Sequence, residues 1–184
     1  MTQPLTGKIL IASPLLKDPN FDRTVVFICA HSDGGSFGLV LNRPLEMEVA
    51  DHLPQWLDVV SSPTALFRGG PVEPASAYGL ARTRDRAPDE GWMAITGTLG
   101  LVDLSQDTSA LAPELIDLRI FTGYAGWSPG QLDEELQAEA WFVIEPGPGD
   151  LFTRAPGDLW REVLRRQPGK LAMFAYFPED ASQN

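Results

Sequence analysis

TVVFICAHSDGGSFGLVLNRP, residues 24–44, holds two apolar runs separated by a turn signal. Residues 24–30 are apolar at nearly every position, rich in β-branched and aromatic side chains, and lack helical spacing. That pattern predicts a central strand buried on both faces. Asp33-Gly34-Gly35 marks a turn and residues 37–42 a second apolar strand, so the pair forms a hairpin. Arg43-Pro44 closes it, because proline brings no N–H to a sheet ladder.

Upstream, residues 8–12 read as a strand ended by Ser13-Pro14, and Asp18-Pro19-Asn20-Phe21-Asp22-Arg23 as one helical turn. In that turn the aspartate caps and the proline takes the first helical position. Phe21 is placed to anchor the turn to the core and Arg23 to pair with a nearby carboxylate. Downstream, Val49, Leu53, Trp56, Leu57 and Val60 recur at three- and four-residue steps and predict an amphipathic helix over 48–60, kinked at Pro54. Strands follow over 65–68 and 77–82, a loop over 82–91, and a hairpin of 92–96 with 99–104 around Gly97. A short helix covers 107–116, then a strand 118–124, a helix 130–139 and a strand 141–145. A helix over 158–167 and a strand over 170–176 complete the pattern. The run from 118 to 145 permits one parallel strand pair. The expected architecture is α+β: a mixed, largely antiparallel sheet with helices packed on it. It forms one domain over 1–178, with a small lobe within 76–116 and a flexible tail at 179–184.

Gly and Pro supply 33 of the 184 residues, against roughly 12% in an average protein, so turns abound and a long-helix bundle is disfavoured. The single cysteine, Cys29, excludes an intrachain disulfide and fits a reducing compartment. The opening MTQPLTGKIL lacks the features of a secretory signal, and no apolar run approaches the ~20 residues needed to span a bilayer. A cytoplasmic protein without membrane attachment is expected. The formal net charge of −11 opposes direct contact with nucleic acid, which needs a cationic surface. Residues 151–170 are a local exception, with Arg154, Arg161, Arg165, Arg166 and Lys170 against Asp158 and Glu162. Such a run reads first as the solvated side of a helix.

Gly126-Trp127-Ser128-Pro129-Gly130 matches the G-x-S-x-G of a hydrolase elbow between a predicted strand and helix. The elbow takes an oxyanion donor from the backbone N–H after the serine, and Pro129 has none. Both histidines, His31 and His52, also lie upstream. A helix start accounts for the same residues: Ser128 as cap, Pro129 at the first position, Gln131 completing a capping box. Cys29, in mid-strand, reads as a small buried hydrophobe. His31, at the C-terminal end of the central strand, sits where open sheets present ligand groups. Gly69-Gly70 after a strand lets backbone amides approach an anion or another chain. No phosphate-loop or dinucleotide fingerprint occurs, and the scattered His, Cys and carboxylates form no zinc or calcium pattern. No catalytic constellation, cofactor or metal is expected. The candidate binding pocket combines Arg23, His31, Asn42, Arg43, Gly69, Gly70 and Gln131.

Residues 10–45, FRGGPVE at 67–73, and GYAGWSPGQLDEEL at 123–136 together resemble the YqgE/AlgH family of bacterial proteins, whose biochemical activity is not established. The Asp-Pro-x-Phe-x-Arg pattern at residues 18–23 resembles a hallmark of that family. The resemblance implies the same sheet-with-helices architecture. It also transmits a label of transcriptional regulator, without a mechanism. A non-enzymatic protein that binds a protein partner or small ligand is the leading expectation. The alternative is a small-molecule hydrolase or transferase with a polar cleft near His31, Asn42 and Gly69-Gly70.

Overall fold

The computed structural model describes residues 4–179; of the expected tail at 179–184, residues 180–184 lie outside them. Strands β1 (Ile9–Ala12), β2 (Val25–Ser32) and β3 (Gly35–Val40) pair antiparallel in sequence order, with β2 in the middle. Alternate residues of these strands face opposite ways, as the pleat requires. Val25, Phe27 and Leu39 pack on one face with Trp160, Val163 and Leu164 of α4 (Leu159–Arg165). Val26, Ile28 and Val40 pack on the other with Leu132 of α3 (Gln131–Gln137), Trp127 and Trp141. A central strand covered on both faces is therefore what the continuous apolar run encodes.

The rest of the sheet hangs on one long strand, β9 (Leu115–Trp127). Its C-terminal end pairs antiparallel with β3, matching Ser36 to Trp127 and Gly38 to Ala125. Its middle pairs antiparallel with β6 (Val72–Thr83) and parallel with β5 (Ala65–Arg68). The change of partner falls near Gly123, whose φ of +70° a glycine adopts without steric penalty. β8 (Leu99–Val102) and β7 (Trp92–Thr96) extend the sheet beyond β6, and β10 (Trp141–Ile144) borders β1. The sheet curls, so that Gly7 beside β1 stands against Thr96 at the end of β7. The result is an α+β fold with a mostly antiparallel curled sheet.

Three local expectations are corrected. Within 170–176 the chain forms helix α5 (Lys170–Phe174) and a turn, not a strand. Leu171, Phe174 and Ala175 sit at helical spacing and turn onto the core around α4, with Phe174 stacked on Phe142. The helix over 48–60 is shorter than its periodicity implies. Residues Pro44–Glu48 form an edge strand, β4, paired with β5, which tolerates a proline at its first position. Only α1 (Val49–His52) and a 3₁₀ turn at Pro54–Trp56 are helical, because Pro54 interrupts the hydrogen-bond ladder. Last, β10 pairs antiparallel with β1 across the molecule, so the parallel pair is β5 with β9. The remaining helix, α2 (Thr108–Leu111), is capped by Asp107, whose side chain accepts from the Ser109 N–H at 2.9 Å.

Candidate functional site

The two motif-dense segments, 10–45 and 123–136, come together where β3 meets β9. Phe21 packs between Trp127, stacked at 6.2 Å, and Trp141, edge-on at 5.5 Å. Both indoles donate to one carboxylate: Trp127 Nε1 to Glu135 Oε2 at 2.9 Å and Trp141 Nε1 at 2.8 Å. Glu135 Oε1 accepts from Gln131 Nε2 at 3.0 Å. Trp160 Nε1 donates to the Ala12 carbonyl at 2.9 Å. Trp127, Trp141 and Trp160 are thus packing residues with satisfied N–H groups, not an exposed aromatic surface.

Above this junction lies a small polar cavity of about 140 Å³, whose walls include His31, Ser36, Ser128 and Asp133. His31 Nδ1 and Ser36 Oγ are hydrogen-bonded at 2.7 Å. His31 Nε2 is buried without a hydrogen-bond partner among the described residues. Ser128 makes only half of the expected capping box. Gln131 Oε1 reaches back to the Ser128 N–H at 3.1 Å and also accepts from its hydroxyl at 3.2 Å. The Gln131 N–H, however, bonds the Ser128 carbonyl at 3.0 Å. Gly130, at φ +77°, is the residue flanking the helix. Pro129 followed by this left-handed glycine makes a tight turn ahead of α3, which displaces the serine from the capping position.

The other expected site residues lie elsewhere. Asn42 stands beside Val25, at the opposite end of the β2–β3 hairpin from His31. At ~3.3 Å per residue the two are roughly 15–20 Å apart. Asn42 Oδ1 accepts from the Val25 N–H at 3.0 Å, and Nδ2 donates to the Arg23 carbonyl at 2.9 Å. Arg43 holds the 18–23 turn through three carbonyls: Pro19 at 2.8 Å, Asn20 at 3.0 Å and Asp22 at 2.9 Å. Within that turn the Asp18 carboxylate accepts from the Asn20 N–H at 2.9 Å, giving the aspartate the predicted capping role. Among the described residues Arg23 meets no carboxylate in an ion pair. It donates to the Phe177 and Pro178 carbonyls and lies over the Trp160 ring at 4.8 Å. Gly69 and Gly70 lie packed against β9. The Gly69 N–H bonds the Thr122 carbonyl at 2.8 Å. The seven residues therefore separate: His31 on the polar cavity, Gln131 between Ser128 and Glu135, Arg23 with Asn42 and Arg43, and the glycine pair inside the sheet.

The basic run is also engaged. Arg166 forks onto Asp150 at 2.9 and 2.6 Å, and Arg161 donates to the Ala175 and Phe177 carbonyls. Arg165 lies 6.0 Å from the Tyr176 ring. These cations hold the C-terminal helices and the 147–150 turn in place. Among the described residues no group of three His, Cys, Asp or Glu is arranged to hold a metal ion, and no helix is long and apolar enough to cross a membrane.

One feature escaped sequence reasoning altogether. The curl of the sheet leaves a cleft of about 670 Å³ lined by Cys29, Phe37, Tyr78, Trp92, Met93 and Leu101, among others. Among the described residues its one ionised wall residue is Asp103. That carboxylate accepts from the Ser105 N–H and hydroxyl, which hold it below the usual carboxylate range. The only available signal was WMAIT at 92–96, an uncharged strand following a loop. Cys29 lines this cleft but is buried, and desolvation pushes its thiol far above the ordinary range. The thiolate is the reactive form. Iodoacetamide at pH 8 should therefore leave Cys29 unmodified in the folded protein and alkylate it after guanidinium unfolding, as read by intact mass.

The chain matches the family model described as DUF179, AlgH-like, over residues 9–172. It is 50% identical to UPF0301 protein SCO2948 of Streptomyces coelicolor, an alignment covering 98% of this chain and 95% of that protein. It is 43% identical to UPF0301 protein RHA1_ro03630 of Rhodococcus jostii, over 100% of this chain and 94% of the relative. The crystal structure of protein DIP2367 from Corynebacterium diphtheriae superposes with a TM-score of 0.89 at 31% identity, covering 96% of this chain and 94% of that one. The solution structure of AlgH from Pseudomonas aeruginosa gives a TM-score of 0.71 at 28% identity, covering 98% of both chains. Sequence, fold and the meeting of the two motif segments at the β3–β9 junction agree: this chain is a member of the YqgE/AlgH family.

Proposed function

We propose that this chain is a binding protein rather than an enzyme, and that its ligand or partner places an apolar group in the cleft beside β7 and β8. The volume of that cleft, about 670 Å³, carries the reading, because it falls in the range of pockets that enclose small ligands or anchoring side chains. Its walls are mostly apolar. A regulatory role in the cytoplasm fits the same reading if it acts through a partner, since a net charge of −11 disfavours gripping DNA. The neutral dye N-phenyl-1-naphthylamine tests the cleft. Wild type should bind it with enhanced emission, and Ala30→Trp, which narrows the cleft, should bind at least about tenfold more weakly. Equal binding by both proteins would sink the reading.

A second reading has one observation in its favour, the 2.7 Å contact of His31 Nδ1 with Ser36 Oγ, the arrangement of a base beside a nucleophile. It would make the polar cavity a small hydrolase or transferase site. Asn42 and Gly69-Gly70 do not converge on it. A fluorophosphonate that labels Ser36 in wild type but not in His31→Ala would support this reading; no labelling of wild type would remove it.

A further inference from the structure

We infer that the open edge of β7 captures an extended, basic peptide segment of a partner protein, which adds a strand to the sheet and seats an apolar side chain in the adjoining cleft. The inference rests on the binding-protein reading above and names the partner's chemistry. β7 is the last strand on its side of the sheet, and among the described residues no strand pairs with its outer edge. Gly7 stands against Thr96, at the end of this strand.

The ladder itself shows which groups are open. The Asp103 N–H bonds the Gly91 carbonyl at 2.8 Å. The β7–β8 register continues as Trp92 with Val102, Met93 with Leu101 and Ala94 with Gly100. Hydrogen-bonded and non-hydrogen-bonded pairs alternate along an antiparallel ladder. Gly91 with Asp103, and then Met93 with Leu101, take the bonded positions. Trp92 and Ala94 consequently direct their N–H and C=O groups outward. Natural edge strands are usually blunted by charge, proline or a covering element. β7 reads Trp-Met-Ala-Ile-Thr, with no charge or proline, and its Met93 is 67% exposed. An unblunted edge beside an apolar cleft is the geometry of strand addition: backbone bonds supply affinity, and a pocket for a side chain supplies selectivity.

Charge selects the occupant. Asp103 lines the cleft, Glu90 precedes the strand, and Glu73 meets Tyr78 at the far wall. Of the cations on this side, Arg86 is paired with Asp89 at 2.7 Å, Arg82 with Asp117 at 3.0 Å, and Lys8 with Glu145. Two copies at −11 each would repel one another along this edge. A neutral-to-basic segment meets no such opposition.

The test uses acetyl-(Lys-Val)4-amide as the probe, with acetyl-(Lys-Gly)4-amide as a control of equal charge and poor strand propensity. The Lys-Val peptide is expected to bind, and to slow amide hydrogen exchange of Trp92 and Ala94 at least tenfold, whereas the control does neither. Ala94→Pro deletes an outward N–H, and Ala94→Lys blunts the edge while retaining it. Both should lose peptide binding while keeping a urea midpoint close to that of wild type, which reports that they fold. Failure of the peptide while dye still binds would overturn the strand-capture inference and leave the cleft reading standing. Failure of dye as well would overturn both. Concentration-dependent dimerisation that itself protects Trp92 and Ala94 would also overturn it, by showing that a second copy is the occupant.

Discussion

Gly70→Ala is expected to cost about 3–5 kcal/mol of stability, the upper end for a single substitution. A Cβ at Gly70 would fall far inside 3.0 Å of the Tyr124–Ala125 peptide group of β9. The obstruction is backbone, so no rotamer change relieves it and the strands must separate. Gly69 is held in the same way against the Gly123 carbonyl. Urea denaturation followed by circular dichroism provides the measurement, the expected outcome being a large fall in midpoint. Were the glycine pair instead a cradle for an anion, the substitution would leave the midpoint nearly unchanged and weaken only anion binding.

Removing the Glu135 carboxylate should be the next most damaging change. In Glu135→Ala two indole N–H groups lose their acceptor, on Trp127 and Trp141, which are 6% and 3% exposed. Each buried, unsatisfied donor costs about 1–3 kcal/mol, so a combined loss of roughly 2–5 kcal/mol is expected. Glu135→Gln keeps an oxygen acceptor within reach and should lose less than half as much. Denaturation midpoints read the energies, and the near-ultraviolet tryptophan bands report whether the junction has loosened. Equal losses in the two variants would show that the carboxylate contributes through its charge and not as the shared acceptor of both rings.

Much of the sheet was legible because its strands carry local signals. The uninterrupted apolar run at 25–29 could be accommodated only with cover on both faces, and the Asp33-Gly34-Gly35 turn fixed the register that matches His31 to Ser36. The capping aspartate at residue 18 acted as predicted because it needs only its next few neighbours. Helical periodicity was less secure. Residues 48–60 carried the right spacing, but Pro44–Glu48 gained more from pairing with β5, and Pro54 ended the helix. Residues 170–176 looked strand-like, yet β10 already borders β1 there, and helical packing buries Ala175 and Phe174 against α4.

The chain's residue order, taken alone, determined the α+β class, the central hairpin, the family, and the absence of an N–H after Ser128. These depend on side-chain pattern and backbone chemistry within a few residues of each other. Which distant residues share a site was decided by tertiary structure. Pleat and strand length put His31 and Asn42 at opposite ends of one hairpin, and the β3–β9 pairing brought Ser36 beside the Ser128 turn. The apolar cleft exists only because the sheet curls, and β7 is an edge only because of its place in the strand order; both are properties summed over many strands and written in no single segment.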